Sequence, residues 1–199
     1  MKTLQLILLL SIVMVNAIAQ RETDKINIDD KLICETTFIT LGTGINSNYG
    51  IMGIGADFKL MDKLQGAVSG GIGSWGFKSA GELRYFYSGC MQTGSAVAVG
   101  VAYASGLPEM ETELEVSSDE SKTVTLELGA QTNLQVSWYK AFAVKDHHRF
   151  FFQVGYSFPL TGVSYTVKSG EDLSEVSKTT MKMLAPGGVL VATGFGFGF

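Results

Sequence analysis

The sequence has little proline, little positive charge and, beyond its first residues, no long hydrophobic run. Acidic residues outnumber basic ones by 19 to 15, which excludes the strongly basic footprint of a nucleic-acid-binding protein. No later segment approaches the roughly 20 apolar residues of a transmembrane helix, so any membrane insertion would have to use strands. Three prolines accompany 24 glycines, without the fixed period of collagen or a solenoid. Abundant glycine with many aromatic residues in alternating runs favours a β-barrel.

The N-terminus has the pattern of a secretory signal peptide. A basic residue precedes the apolar run Leu6–Val15, and Asn16–Ala19 has the small-x-small pattern of a cleavage site. The sequence therefore predicts a signal peptide over residues 1–19, a charged periplasmic N-terminal arm over 20–35 and one folded domain over 36–199. Removal of one basic residue with the signal leaves 14 basic and 19 acidic residues, a net charge of 14 − 19 = −5.

From residue 36 onwards, apolar side chains alternate with small or polar ones. In one segment, Val136 and Trp138 face one way, while Gln135 and Ser137 face the other. Apolar side chains facing lipid and polar ones facing an aqueous interior would produce this pattern. The predicted fold is all-β, an eight-stranded antiparallel up-and-down transmembrane β-barrel. Its predicted strands cover residues 36–45, 49–60, 64–74, 82–90, 96–105, 124–138, 149–158 and 189–199.

The last strand has one aromatic face and one nearly bare face. Phe195, Phe197 and Phe199 lie on one side, and the intervening glycines lie on the other. An apolar edge of this kind invites pairing with other chains, but a closed barrel has no edge. We therefore expect the three phenylalanines to face outward and the last strand to pair with the first near Phe38–Ile45.

The two longest connections, 106–122 and 159–187, fall on the same, outer end of the predicted barrel. The segment 106–122 is acidic, and its alternating glutamates suggest a projecting strand edge that could add a strand to a partner. The segments 163–167 and 176–184 could continue the last two strands as a protruding hairpin. On the periplasmic side, the connection 139–148 is longer than this class of barrel usually has.

Several polar side chains fall on the inward face of the predicted strands. The favoured interpretation is an internal hydrogen-bonded plug that satisfies these groups in a narrow interior. The alternative is a selectivity ring in a small pore. The predicted network comprises Asp57, Glu82, Arg84, Glu127, Gln131, Asn133, Arg149 and Gln153. Strand directions place Glu82, Arg84 and Glu127 toward the outer mouth. They place Asp57 and Arg149 toward the periplasmic end.

The cysteines and histidines carry no clear site. Export permits a disulfide between Cys34 and Cys90, but two free thiols are favoured because strands one and four are not neighbours. His147 and His148 fall in a predicted periplasmic turn, and adjacent strand residues point to opposite faces. We therefore expect no catalytic residues, no metal site and no cofactor.

The signal peptide, eight alternating strands, long outer loops and final Phe199 together resemble small Gram-negative outer-membrane barrels of the outer-membrane protein A and X type. The segment Phe152–Leu160 also resembles strands of such chains. The resemblance implies a monomer in the outer membrane, surrounded by outer-membrane lipid. It also implies that Phe195, Phe197 and Phe199 are the insertion signal read by the barrel-assembly machinery.

The expected role is structural or adhesin-like, a surface interaction with an extracellular partner through 106–122 and 159–187, without enzymatic activity and without nucleic acid. Two alternatives remain. One is a narrow, porin-like outer-membrane channel. The other is a secreted soluble barrel that binds a small apolar ligand, which would need an apolar interior and a polar outside.

Overall fold

The computed structural model describes residues 36–87, 90–115, 121–144, 147–162, 165–168 and 173–199, with the backbone alone for 113–115, 121–122 and 182–184. These residues belong to one compact unit, Cys34–Phe199. The predicted signal peptide and the whole of the predicted N-terminal arm lie outside the described residues.

The described chain contains eleven strands and one helix. In chain order they are β1 (Thr37–Ile45), β2 (Met52–Met61), β3 (Leu64–Gly73), β4 (Gly76–Phe86), β5 (Ser95–Ala104), β6 (Leu107–Glu115), β7 (Ser121–Leu128), β8 (Gln131–Val144), β9 (His148–Pro159), β10 (Tyr165–Val167), α1 (Glu175–Leu184) and β11 (Gly188–Gly198).

Eight of these strands form a closed barrel in the order β1-β11-β9-β8-β5-β4-β3-β2, and every neighbouring pair is antiparallel. The all-β fold and the eight-stranded antiparallel barrel predicted from the sequence are confirmed. Closure follows the expected register, because Phe38 lies opposite Gly198 and Ile45 lies opposite Val191. The last strand therefore has no free edge.

The alternation of large and small side chains explains why this narrow barrel can close. Along β5 the valines are exposed on the outside, and the alanines between them are buried inside. An eight-stranded barrel has an interior just wide enough for side chains to fill it. Alanines and glycines on inward positions therefore leave room for the larger polar side chains of neighbouring strands.

Because successive barrel strands alternate in direction, the connections separate into two groups. One end of the barrel, here called the turn end, carries residue 199 and the connections 62–63, 87–94 and 145–147. The opposite end, here called the loop end, carries the connections 46–51 and 74–75 and the two longest ones. The expectation of a long connection over 139–148 is wrong, since β8 and β9 extend into it from both sides.

Two strand boundaries differ from the prediction. The fourth barrel strand begins at Gly76, so the predicted loop over 75–81 is largely strand. The predicted strand 124–138 is divided into β7 and β8 by a break at 129–130. The apolar positions stay in phase across this break, so the alternation alone shows one strand. The length of the predicted strand 124–138 indicated the division, because a strand of about 9–11 residues is enough to cross a membrane.

A second sheet lies within the long connections. Its strand order is β10-β7-β6, and it is here called the loop-end sheet. The strand predicted within 106–122 is confirmed as β6, which lies at an edge of this sheet. The expectation that 176–184 continues a barrel strand is wrong, because this segment forms α1. The Ser174 side chain caps the helix by accepting a hydrogen bond from the backbone N–H of Ser177.

The loop-end sheet, α1 and the barrel rim share a hydrophobic core. Leu126 on β7 is fully buried, Met181 on α1 is nearly so, and Trp75 from the barrel rim packs with them. The Trp75 Nε1 group donates a 2.8 Å hydrogen bond to the carbonyl oxygen of Gly129. These contacts anchor the sheet to the loop end. Within the described residues, no helix has the length and apolarity needed to cross a membrane.

Candidate functional site

The interior of the barrel, here called the lumen, is lined by buried polar side chains. Strand alternation directs them inward from β2, β4, β8 and β9. Of the predicted network, the buried members are Asp57, Glu82, Arg84, Gln131, Asn133, Arg149 and Gln153. Glu127 is the exception and corrects the prediction. It lies on β7 of the loop-end sheet, where its half-exposed carboxylate is 3.4 Å from Lys168 Nζ.

Four charged residues form the centre of the lumen network. Arg84 Nη1 donates a 2.8 Å hydrogen bond to Asp57 Oδ2, and Arg84 Nε donates a 2.5 Å hydrogen bond to Glu82 Oε1. Arg149 Nη2 donates to the same oxygen of Asp57. The prediction placed Arg84 and Asp57 toward opposite ends of the barrel. They meet because β4 begins earlier than predicted, which moves Arg84 toward the turn end.

The charges of this group cancel, since two guanidinium groups face two carboxylates. The second oxygen of Glu82 accepts hydrogen bonds from Asn48 Nδ2 at 2.7 Å and from Gln153 Nε2 at 2.6 Å. Buried ions are tolerated best when each is paired with an opposite charge. The balanced composition therefore suits a structural network.

Aromatic rings surround both guanidinium groups. The guanidinium carbon of Arg149 is 3.9 Å from the ring centroid of Phe38, and that of Arg84 is 4.3 Å from the ring centroid of Tyr139. The Tyr139 ring stacks on Phe151 with centroids 5.5 Å apart. Cation–π contacts of this type are stronger in a desolvated site. The rings also occupy the space that an aqueous pore would need.

The connection between β1 and β2 adds another ring to the lumen. Tyr49 is buried, its ring centroid is 5.5 Å from that of Phe151, and its hydroxyl is 3.1 Å from Thr40 Oγ1. Burial, assisted by the charge of Asp57, raises the pKa of Tyr49 above its ordinary value. The absence of a side chain at Gly42 makes room for this ring, because a Cβ there would lie 2.5 Å from it.

Both ends of the lumen are occupied by connecting segments. At the turn end, Met91 is buried and its carbonyl oxygen accepts a 2.9 Å hydrogen bond from Arg149 Nη1. At the loop end, Gln131 Nε2 and Asn133 Nδ2 donate to the carbonyl oxygen of Pro186 at 2.6 and 2.8 Å. The lumen contacts therefore run from one end to the other.

The outside of the barrel is apolar. Large hydrophobic side chains are exposed on all eight barrel strands, including Leu41, Ile54, Val68, Leu83, Val99, Trp138, Val154 and Phe195. On β11, the Phe195 ring meets Phe150 with centroids 5.3 Å apart, and the Phe197 ring meets His148 at 5.5 Å. Polar groups inside and apolar groups outside are the reverse of the arrangement in water-soluble barrels.

Lumen residues that were not predicted from the sequence include Lys78, Gln65 and Tyr49. Lys78 was assigned to a loop, although inward positions continue back from Glu82 in steps of two. Gln65 lies on a strand whose inward face was not assigned, and its Oε1 accepts a 3.3 Å hydrogen bond from Arg84 Nη1. Tyr49 was placed at the start of a strand, whereas it occupies a turn.

The expectation of two free thiols is tested at Cys90. Cys90 is disulfide-bonded, so the expectation of two free thiols is wrong. Strand order was a poor guide because Cys90 lies in the connection 87–94, off the barrel register. Cys34, the other cysteine of the sequence, lies outside the described residues. Across the described ranges, no three His, Cys, Asp or Glu side chains are grouped to hold a metal ion.

Comparisons with known proteins give no family assignment, because the sequence matches neither a protein-family model nor a curated protein.

Proposed function

We propose that this protein is an outer-membrane β-barrel with a structural and surface-interaction role. The observation that carries the proposal is the reversed distribution of side chains, with buried ion pairs in the lumen and exposed large apolar side chains around the barrel. In lipid, every strand must pair and outward side chains must be apolar, and a closed barrel meets both requirements. The exposed phenylalanines of β11 support assembly through machinery that reads this strand.

The loop-end sheet supports the surface-interaction part of the proposal. Strand β6 lies at the edge of that sheet, and Glu109 and Glu111 on it are exposed. An edge strand offers unpaired backbone groups to an extended partner, and its side chains select the charge of that partner. The proposed partner is therefore a basic extended segment that adds a strand beside β6.

Membrane insertion is tested by fractionation with a matched pair of variants. We expect the wild-type protein in the membrane fraction, with an apparent mass in gel electrophoresis that changes on heating. Val99→Arg places a charge on the outer face of β5 and should reduce assembly, at a cost of about 2–4 kcal/mol near the bilayer centre. Thr123→Arg on the exposed face of β7 should assemble normally. Clean recovery of wild-type protein in the soluble periplasmic fraction would reject the proposal.

The filled lumen favours a structural barrel over a channel, and conductance separates the two. Purified protein reconstituted in planar lipid bilayers should give no steady openings, because Arg84, Arg149 and the surrounding rings occupy the lumen. Steady ohmic openings whose size changes in Arg84→Ala would establish a channel instead.

The surface interaction is tested with a synthetic peptide of alternating lysine and valine. We expect the peptide to bind the purified wild-type protein. It should bind the Glu109→Gln/Glu111→Gln variant more weakly. The decisive control is the same peptide with alternate backbone nitrogens methylated, which keeps its charge but prevents strand addition. Equal binding of both peptides would show that charge attraction alone holds the peptide. It would reject the β6 edge as a docking strand.

A further inference from the structure

Lys78 is an inward-facing lysine at the loop end of the lumen. It lies on β4, on the same face as Glu82 and Arg84, and is only 5% exposed. A buried ammonium group is costly unless an opposite charge or several acceptors compensate it. Lys78 is therefore the buried charge in the described lumen that most requires a partner.

No described residue provides that partner. Within the described residues, the Lys78 side chain forms neither a hydrogen bond nor an ion pair. Glu82 is four residues further along β4, a rise on the order of 13 Å, and its oxygens are engaged by Arg84, Asn48 and Gln153. The charge-balanced network of Asp57, Glu82, Arg84 and Arg149 thus leaves the positive charge of Lys78 uncompensated.

Lys78 also lines a cavity of about 230 Å³ at the loop end. The apolar part of the wall includes Trp75, Ile51 and Pro186, with Asn46 as a polar neighbour. The hydrogen bond from Trp75 to Gly129 fixes the orientation of the indole ring. The cavity therefore combines one buried cation with an aromatic and aliphatic wall.

We propose that this cavity is a binding site for a small organic anion, a monocarboxylate with a short apolar chain or ring. The carboxylate would accept hydrogen bonds from Lys78 Nζ, and its apolar part would lie against Trp75 and Pro186. A lone cation in a largely apolar pocket favours a charged group attached to an apolar body over a fully hydrated ion. A cavity of roughly 150 Å³ accommodates benzene, so the volume suits this class of ligand.

Hexanoate is a suitable probe, and Trp75 is a reporter within the site. The sequence has two tryptophans, so a Trp138→Phe background leaves Trp75 as the single tryptophan. In detergent, hexanoate should change Trp75 emission saturably. Lys78→Met keeps the length of the side chain without its charge and should weaken binding by at least about tenfold. Lys59→Met, on the exposed turn end, should leave binding unchanged.

Two further ligands test the chemical class. Hexanamide has the same chain without the charge, so it should bind weakly and equally to wild type and Lys78→Met. Inorganic phosphate should compete poorly; competition as effective as that of hexanoate would mean a simple anion site and overturn the proposed class. Absence of saturable hexanoate binding, or equal binding to Lys78→Met, would overturn the site itself.

A measurement on the wild-type protein alone guards against misfolding of the variant. Brief acetylation with acetic anhydride, followed by mass mapping, reports the reactivity of each lysine. Hexanoate should protect Lys78 and leave the exposed Lys59 reactive. If hexanoate fails to protect Lys78, the proposed site is rejected whatever the behaviour of the variant.

Discussion

The guanidinium carbon of Arg149 lies 3.9 Å from the ring centroid of Phe38. The two residues belong to β9 and β1, which are separated by β11 in the barrel. Both side chains are fully buried, and the edge of the same guanidinium donates to Asp57. The lumen therefore stabilises a buried cation by two means, an ion pair at its edge and a π-face beneath it.

Phe38→Leu should lower the free energy of unfolding by about 1–2 kcal/mol, because the leucine keeps much of the apolar volume but removes the π-face. Urea unfolding of the purified barrel in detergent, followed by tryptophan fluorescence, measures the change. Phe77→Leu, on the exposed outer face of β4, is the matched control and should have a smaller effect. Equal effects of the two substitutions would show that the contact with Arg149 contributes nothing measurable.

Asp57→Asn should be strongly destabilising. The change leaves Arg84 and Arg149 with Glu82 as the one remaining carboxylate of the group, and an uncompensated buried charge costs about 3–5 kcal/mol. The same unfolding experiment measures the loss. Asp62→Asn breaks the exposed ion pair with Lys59 and should have little effect on the free energy of unfolding, because water screens such surface pairs. A small effect of Asp57→Asn would mean that the network is open to water.

Gly42→Ala and Gly81→Ala form a matched pair of glycine substitutions. A Cβ at residue 42 would lie 2.5 Å from the Tyr49 ring, whereas a Cβ at residue 81 would meet nothing within 4 Å. We expect Gly42→Ala to cost about 1–3 kcal/mol through displacement of the ring. Gly81→Ala should be neutral or stabilising by about 0.5 kcal/mol. Thermal unfolding of the two variants tests this order, and the reverse order would contradict the packing of Tyr49.

Leu126→Ala should loosen the loop-end sheet without opening the barrel. Leu126 is fully buried in the core beside α1, so its truncation should cost about 2–5 kcal/mol, largely confined to that subdomain. Limited proteolysis should cleave the long connections faster, while the heat-dependent change in electrophoretic mass persists. Thr123→Ala, on the exposed face of β7, should leave the cleavage rate unchanged. Loss of the folded barrel itself would show that the two parts unfold together.

The barrel was predictable because its alternation is local. In β9 and β11, most of the outward side chains are large and apolar, and a one-residue shift would turn all of them inward. The pairing of β11 with β1 followed from the same pattern and from the need to remove two edges. The division of 124–138 was not predictable in this way, because β7 and β8 keep the same phase while facing different surroundings.

The lumen network was predictable in composition but not in arrangement. The inward positions of Arg84 and Asp57 followed from alternation within single strands. Their contact depended on where β4 begins, and Glu127 was misplaced because its strand belongs to another sheet. Lys78 was missed because β4 begins earlier than the sequence predicted, so this residue was assigned to a loop.

The sequence by itself determined which side chains face outward and inward, since this depends on a period of two along each strand. Only the tertiary structure decided which inward charges meet and which one has no partner among the described residues. That outcome depends on strand register and on the turns that fold into the lumen. The Asp57, Arg84 and Arg149 cluster and the isolated Lys78 are therefore products of barrel closure, which brings together side chains far apart in the chain.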